Sequence, residues 1–247
     1  MSGHSKWSQI KHKKAKTDSQ RSKVFTKLIR ELTIASRQGG SDPAGNPRLR
    51  LAIQTARESN MPNDTITRAI KKGAGELEGQ ALEEFSYEGY GPAGVALIID
   101  VVSDNRNRTT GEVRHALTKH NGSLGETGCV SWNFDTRGVI TVDKKRVDEE
   151  TLMAAALDAG ATDVSDEDEV FEVYADPTEL SSVAEGLKKS NIAYESAAVQ
   201  KVPKTFVKLA GDDARKVLHL VEALEDLDDV QRVSANFDIP DEILQQG

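Results

Sequence analysis

The 247-residue sequence contains one cysteine, Cys129, which excludes an internal disulfide and any zinc site built on several thiolates. Long apolar runs are also missing. The run Val95–Ile99 is interrupted by Asp100 before Val101 and Val102, far short of the roughly 20 residues of a membrane span. The first 20 residues hold no apolar segment, so no secretory leader is expected. Histidines are few and scattered (His4, His12, His115, His120, His219). His115 and His120 lie five apart, on different sides of a helix, with no carboxylate or thiol pair at ligand spacing. Acidic runs at 163–169 and 222–229 lack the alternating ligands and tight glycine turn of a calcium loop, and read as solvated faces, turns or a docking surface. Gly89-x-Gly91-x-x-Gly94 matches the dinucleotide fingerprint literally. Pro92 interrupts it, however, and a β-branched run follows where a helix is required, so it reads as a hairpin turn. Neither a metal nor a cofactor is expected, and no convergent acid, base and nucleophile mark an enzyme.

What the sequence does have is a lopsided charge. Residues 1–72 carry nine Lys and seven Arg against five acids, a net +11. The whole chain is −8, so the remainder carries −19. A basic segment attracts polyanions by counterion release, while an acidic remainder limits indiscriminate binding.

Residues 1–20 hold too few apolar groups to offset the entropy of ordering and read as a flexible basic arm. Residues 21–77 read as a three-helix domain. Val24, Phe25, Leu28, Leu32 and Ala35 recur at helical spacing up to Gly39-Gly40. Asn46-Pro47 opens a second helix as cap and first-turn proline, and a third follows Met61-Pro62 and ends at Gly73. Beyond a Gly-rich linker, Glu84–Tyr90 and Val95–Val102 predict a hairpin, residues from about Thr109 to His120 a helix, and Val130–Phe134 a strand, with an inert Cys129 in extended chain just before it. A β-α-β-β-α-β unit then occupies 136–203. Thr205–Leu209 (strand), Asp212–Glu225 (helix) and Val230–Ala235 (strand) complete the interrupted first unit. The expected fold is therefore α+β and multidomain. A basic three-helix domain precedes two ferredoxin-like α/β domains, one (78–135 plus 204–240) interrupted by the other (136–203), with a tail at 241–247.

Candidate nucleic-acid contacts follow from the charge. In the arm, Lys6, Lys11, Lys13, Lys14 and Lys16 suit phosphates, Trp7 suits base stacking, and His4 and His12 suit either. Arg21, Lys23, Lys27 and Arg30 extend the patch along the first helix. Arg68, Lys71 and Lys72 sit on the third, which lacks a set of Asn, Gln and Arg arranged for base reading. Arg106 and Arg108 lie in a polar loop, 104–108, suited equally to helix capping and to nucleic-acid contact.

The run Gly3-His4-Ser5-Lys6-Trp7-Ser8-Gln9-Ile10-Lys11-His12-Lys13-Lys14 resembles the YebC/PmpR-like family of transcriptional and translational regulators, which includes mitochondrial translational activators of cytochrome c oxidase. The resemblance continues through Met61-Pro62, Arg68–Gly73, Tyr87–Ala96, Asp104–Thr109, and Gly125, Gly128, Val130, Trp132 and Phe134. It implies a helical domain and two α/β domains, one inserted in the other. It also implies a cytoplasmic regulator without enzymatic chemistry or small-molecule substrate, acting on DNA or, through the ribosome, on ribosomal RNA. The chain opens at the family motif, as expected of a bacterial rather than an imported member.

Overall fold

A computed structural model describes residues 18–78, 81–167 and 169–240, with side chains from Arg21 onward. Three helices come first: α1 (Asp18–Gly39), α2 (Pro47–Glu58) and α3 (Asn63–Gly73). Asn46 sets the α1–α2 turn. Its Oδ1 accepts from the Leu49 N–H at 3.0 Å, and its Nδ2 donates to the carbonyls of Ala35 and Gly40, both at 2.8 Å. One buried side chain thus satisfies both helix ends. Leu32, Ala35, Leu49, Ala52, Ile53, Ala56, Met61, Ile66 and Ala69 form the helical core. Where α3 crosses α1, Thr33 Oγ1 donates to Ala69 O (3.3 Å) and Ser36 Oγ to Ile70 O (2.8 Å). A Cβ at Gly73 would lie 2.2 Å from the Thr33 carbonyl oxygen, so the crossing requires glycine.

The strands β1 (Glu83–Tyr90) and β2 (Ala96–Ser103) form an antiparallel hairpin, closed by a 3-10 turn at Pro92–Gly94 in which Ala93 and Gly94 both take positive φ. With β3 (Ser123–Leu124) and β9 (Val230–Ala235) they make a sheet of order β3-β1-β2-β9. Helices α4 (Arg106–Lys119) and α7 (Gly211–Glu225) supply Val113, Leu117, Val217, Leu220, Val221 and Leu224 to a core with Leu97, Ile99, Val101 and Val233 of the sheet. The alternate residues of β2, Ala96 and Ile98, pack with Val130 and Phe134. Burial on both faces explains the apolar run from Ala96 to Ile99 in this strand.

Two sequence expectations fail around this sheet. Residues 130–134 are not a strand: Ser131–Asn133 is a 3-10 turn, Phe134 opens the next strand, and Cys129 lies in a bend. The cause is Glu88, whose carboxylate accepts the N–H groups of Gly128, Val130 and Ser131 at 2.8–2.9 Å and so removes them from any ladder. The strand expected over 205–209 shrinks to β8 (Val207–Lys208), which pairs in parallel with β10 (Phe237–Asp238) outside the four-stranded sheet. Here Asn236 takes the Ala96 N–H on its Oδ1 and donates its Nδ2 to Thr205 O, turning the chain off the sheet.

Asp135–Val202 form one compact unit, and the described residues before and after it form another. The inner unit runs β4 (Phe134–Asp143), α5 (Glu149–Asp158), β5 (Asp163–Glu167), β6 (Val170–Ala175), α6 (Leu180–Lys189) and β7 (Ser196–Pro203). Its sheet order β5-β6-β4-β7 is the ferredoxin-like arrangement. Ile140, Val142, Leu152, Val173, Val183 and Leu187 are buried in it.

Candidate nucleic-acid interface

The sequence-predicted cations separate by what they touch. On α1, Lys23 Nζ lies 3.1 Å from an Asp226 carboxylate oxygen, and Lys27 Nζ donates to the Glu225 carbonyl at 2.8 Å. Both meet the C-terminal end of α7, where open carbonyls and the helix dipole favour cations. Arg30 reaches further. It donates to the carbonyls of Val102 (3.0 Å) and Asp228 (2.7 Å) and to Oδ1 of Asp229 (2.5 Å).

Asp229 is 2% exposed and is the centre of a polar cluster. Its Oδ2 also accepts from Arg108 (2.7 Å), Ser103 Oγ (2.9 Å) and Thr109 Oγ1 (2.5 Å). Burial pushes its carboxyl pKa up, but the hydrogen bonds from Thr109, Arg108, Ser103 and Arg30 outweigh that and bring it down to about 2. The acidic run at 222–229 therefore receives the chain's own first helix. Lys23, Lys27 and Arg30, expected to hold phosphate, have an intramolecular use.

The stretch 104–108 caps a helix. Asn105 Oδ1 accepts from the Arg108 N–H at 3.1 Å, so α4 begins at Arg106 and not near Thr109. Arg106 is exposed, its guanidinium 4.5 Å from the centre of the Phe85 ring. Arg108 shares its charge between Asp229 and Asp104, although its side chain stays 43% exposed.

A different group remains open. Arg68, Lys71 and Lys72 are exposed on α3, and no described residue is ion-paired with them. Their i, i+3, i+4 spacing puts them on one face, opposite the buried Ile66 and Ala69. Arg21 is also exposed, 5.6 Å from the Phe25 ring centre. His4, Lys6, Trp7, Lys11, His12, Lys13, Lys14 and Lys16 lie outside the described residues, as does the 241–247 tail.

Sequence reasoning missed the clamp around Arg48. Its guanidinium takes Glu31 in a bidentate pair (2.7 and 2.9 Å) and Glu84 in another (2.7 and 2.9 Å), joining α1 and α2 to β1. Burial acts to lower its pKa, and the Glu84 and Glu31 contacts raise it well beyond the ordinary arginine range. No local signal marks these partners, which lie 17 and 36 residues away in sequence.

Among the described residues, no group of three His, Cys, Asp or Glu is placed to hold a metal ion, and no helix is long and apolar enough to cross a membrane. Burial and the nearby Glu88 push the Cys129 thiol pKa up, away from a nucleophilic thiolate.

Fold and site together define a mixed α+β protein in which N-terminal helices, one with an open cationic face, precede antiparallel sheets. Residues 5–76 match the profile described as the TACO1/YebC protein N-terminal domain, and residues 82–237 match the TACO1/YebC second and third domain. The chain belongs to the TACO1/YebC family. A probable transcriptional regulatory protein of Geobacter sulfurreducens is 55% identical over 100% of this chain and 99% of its own length. One from Halothermothrix orenii is likewise 55% identical, over 100% of this chain and 98% of its own. The crystal structure of a conserved hypothetical protein from Aquifex aeolicus superimposes with a TM-score of 0.86 at 52% identity, covering 94% of this chain and 96% of that one.

Proposed function

We propose that this chain is a non-enzymatic, nucleic-acid-binding regulator of gene expression that works in the cytoplasm. The observation that carries this reading is the charge separation: +11 over residues 1–72 against −19 beyond. Within that basic segment, Arg68, Lys71 and Lys72 form an exposed face with no described counter-charge. The arm cations Lys6, Lys11, Lys13, Lys14 and Lys16, with His4, Trp7 and His12, complete the proposed surface, and Arg21 and Arg106 extend it. The relatives' description as probable transcriptional regulatory proteins supports a regulatory role.

A second reading, ribosomal RNA as the target and translation as the process, is favoured by the composition of the α3 face. It offers Arg and Lys, which hold phosphate, but no Asn or Gln beside them to read base edges. Crosslinking in cells followed by sequencing of the bound RNA and DNA together tests both. Enrichment at promoters supports transcription control, and recovery of one ribosomal RNA locus without promoter enrichment supports translation. Lys11→Ala/Lys13→Ala/Lys14→Ala is expected to weaken binding and to flatten the log–log salt dependence by about 0.7–0.9 for each phosphate no longer neutralised. Unchanged affinity in that variant removes the arm from the mechanism.

A further inference from the structure

Exposed aromatic rings of the unit outside 135–202 are linked around one loop. Trp132 is the most exposed large hydrophobic among the described residues, at 68%. Tyr90 (39%) and Phe206 (41%) are the other aromatics in that class. Trp132 Nε1 and the Tyr90 hydroxyl both donate to one acceptor, the Cys129 carbonyl, each at 3.0 Å. Phe206 follows Thr205, whose N–H (3.1 Å) and Oγ1 (2.7 Å) both donate to Oδ1 of Asn133, the neighbour of Trp132. Lys204 Nζ donates to the Trp132 carbonyl at 3.1 Å, and Lys204 and Lys208 are both exposed.

Three features distinguish this patch from stray surface hydrophobics. The polar tips of Trp132 and Tyr90 are already satisfied internally, so what these side chains offer a partner is ring face. The loop that carries Trp132 is fixed by the three N–H bonds to Glu88 and by the Asn133–Thr205 contacts, so little entropy remains to be lost on binding. The surroundings include Ser131, Lys204, Thr205 and Lys208; the acids beside them are Glu126, Glu88, whose carboxylate is taken up by three backbone N–H groups, and Asp238, the strand partner of Lys208. Exposed ring faces flanked by lysine match the way single strands are held, with bases on the rings and phosphates on the cations.

We propose that Trp132, with Tyr90 beside it, is a stacking platform for an unpaired base of single-stranded RNA, with Lys204 and Lys208 serving the adjoining phosphates. The proposal rests on the nucleic-acid-binding reading and adds a contact on the α/β unit to those of the basic segment. RNA is specified because unpaired, splayed bases are its usual presentation to proteins, while cellular DNA is mostly duplex.

The test reads Trp132 emission in the full chain carrying Trp7→Phe, so that Trp132 is the sole tryptophan, and reads affinity with fluorescently labelled strands; because Trp7 belongs to the proposed arm surface, the unsubstituted chain is titrated in parallel. Short single-stranded RNA, single-stranded DNA of the same sequence and duplex RNA are titrated against this protein and against its Trp132→Ala and Trp132→Phe derivatives. Single-stranded RNA is expected to quench Trp132, and duplex RNA is not. Trp132→Ala is expected to weaken single-strand binding about tenfold without changing the salt slope, and Trp132→Phe to recover most of the affinity. Thermal melts confirm that the variants fold, as expected for a side chain this exposed. If the parent binds with its full salt slope but Trp132→Ala matches it and the emission does not move, the platform is overturned while the nucleic-acid reading stands. Emission that moves only on adding a protein partner overturns it in favour of a protein contact, and equal quenching by single-stranded DNA overturns the choice of RNA. If the unsubstituted chain, with Trp7 in place, binds no nucleic acid at all, both readings fall.

Discussion

The Arg30 guanidinium lies 2.5 Å from Oδ1 of Asp229, joining residues 199 apart in sequence. The contact ties α1 to the loop between α7 and β9, and Arg108, Ser103 and Thr109 close on the other carboxylate oxygen. Removing the carboxylate leaves the charge of Arg30, 19% exposed, without its main counter-ion. Asp229→Ala is therefore expected to cost about 3 kcal/mol, the usual penalty for breaking a largely buried pair by deleting one partner. Urea unfolding monitored by circular dichroism measures it. A loss below about 0.5 kcal/mol means that the cluster does not hold α1 in place.

The same carboxylate gives stability a defined pH dependence. Its pKa falls from 3.8 to about 2 on folding. A depressed folded pKa contributes stability that is present above the unfolded value and is lost as pH falls through the folded one. The window is therefore from about pH 4 down to about pH 2, and the contribution is up to about 2 kcal/mol. Urea midpoints taken between pH 5 and pH 2 are expected to fall less steeply for Asp229→Asn than for the parent. Parallel profiles would assign the acid sensitivity to other carboxylates.

Gly73 fixes how closely α3 crosses α1, and so where the Arg68, Lys71 and Lys72 face stands. A methyl group there meets the Thr33 carbonyl oxygen at 2.2 Å and Ser36 Cβ at 2.8 Å. Backbone cannot yield as a flexible side chain does, so Gly73→Ala is expected to destabilise by about 1–3 kcal/mol. Gly75→Ala is the control. Its Cβ meets nothing within 4 Å, although its positive φ still carries a smaller strain cost. A thermal melt in which Gly73→Ala loses no more than Gly75→Ala would remove the crossing as a constraint.

Local signals carried far into this fold. Asn46-Pro47 gives the start of α2, and 230–235 show the bounds of β9. What stayed illegible depends on single side chains acting across long sequence separations. Glu88 draws three N–H groups from 40 to 43 residues away and turns an expected strand into a bend and a 3-10 turn. Asn236 diverts the end of β9 in the same manner. The candidate site shows this most clearly. Charge and periodicity put Lys23, Lys27 and Arg30 on a helix beside Arg21, but nothing local tells that the acidic run about 200 residues on would neutralise them. The α3 face was legible because its exposure follows from the helical period of Ile66, Ala69 and Ile70 alone.

The two sets of lysines separate stability from binding. Lys23 and Lys27 are placed against the C-terminal end of α7, so Lys23→Ala/Lys27→Ala is expected to lower stability by about 1–2 kcal/mol. Most of that comes from Lys27, because the Lys23–Asp226 pair is roughly half exposed and adds little. Its effect on the salt dependence of nucleic-acid binding is expected to be small, since both lysines already have partners at the end of α7. Lys71→Ala/Lys72→Ala is expected to do the reverse. The unfolding midpoint stays within about 0.5 kcal/mol of the parent, as for most exposed positions. The slope of log K against log salt falls by up to about 1.4–1.8 if each lysine holds one phosphate. Binding isotherms at several salt concentrations, paired with urea curves for the same proteins, measure both quantities. A double variant at 71 and 72 with an unchanged slope would exclude the α3 face from the interface. A variant at 23 and 27 with a flattened slope but unchanged stability would show that nucleic acid draws these lysines off α7.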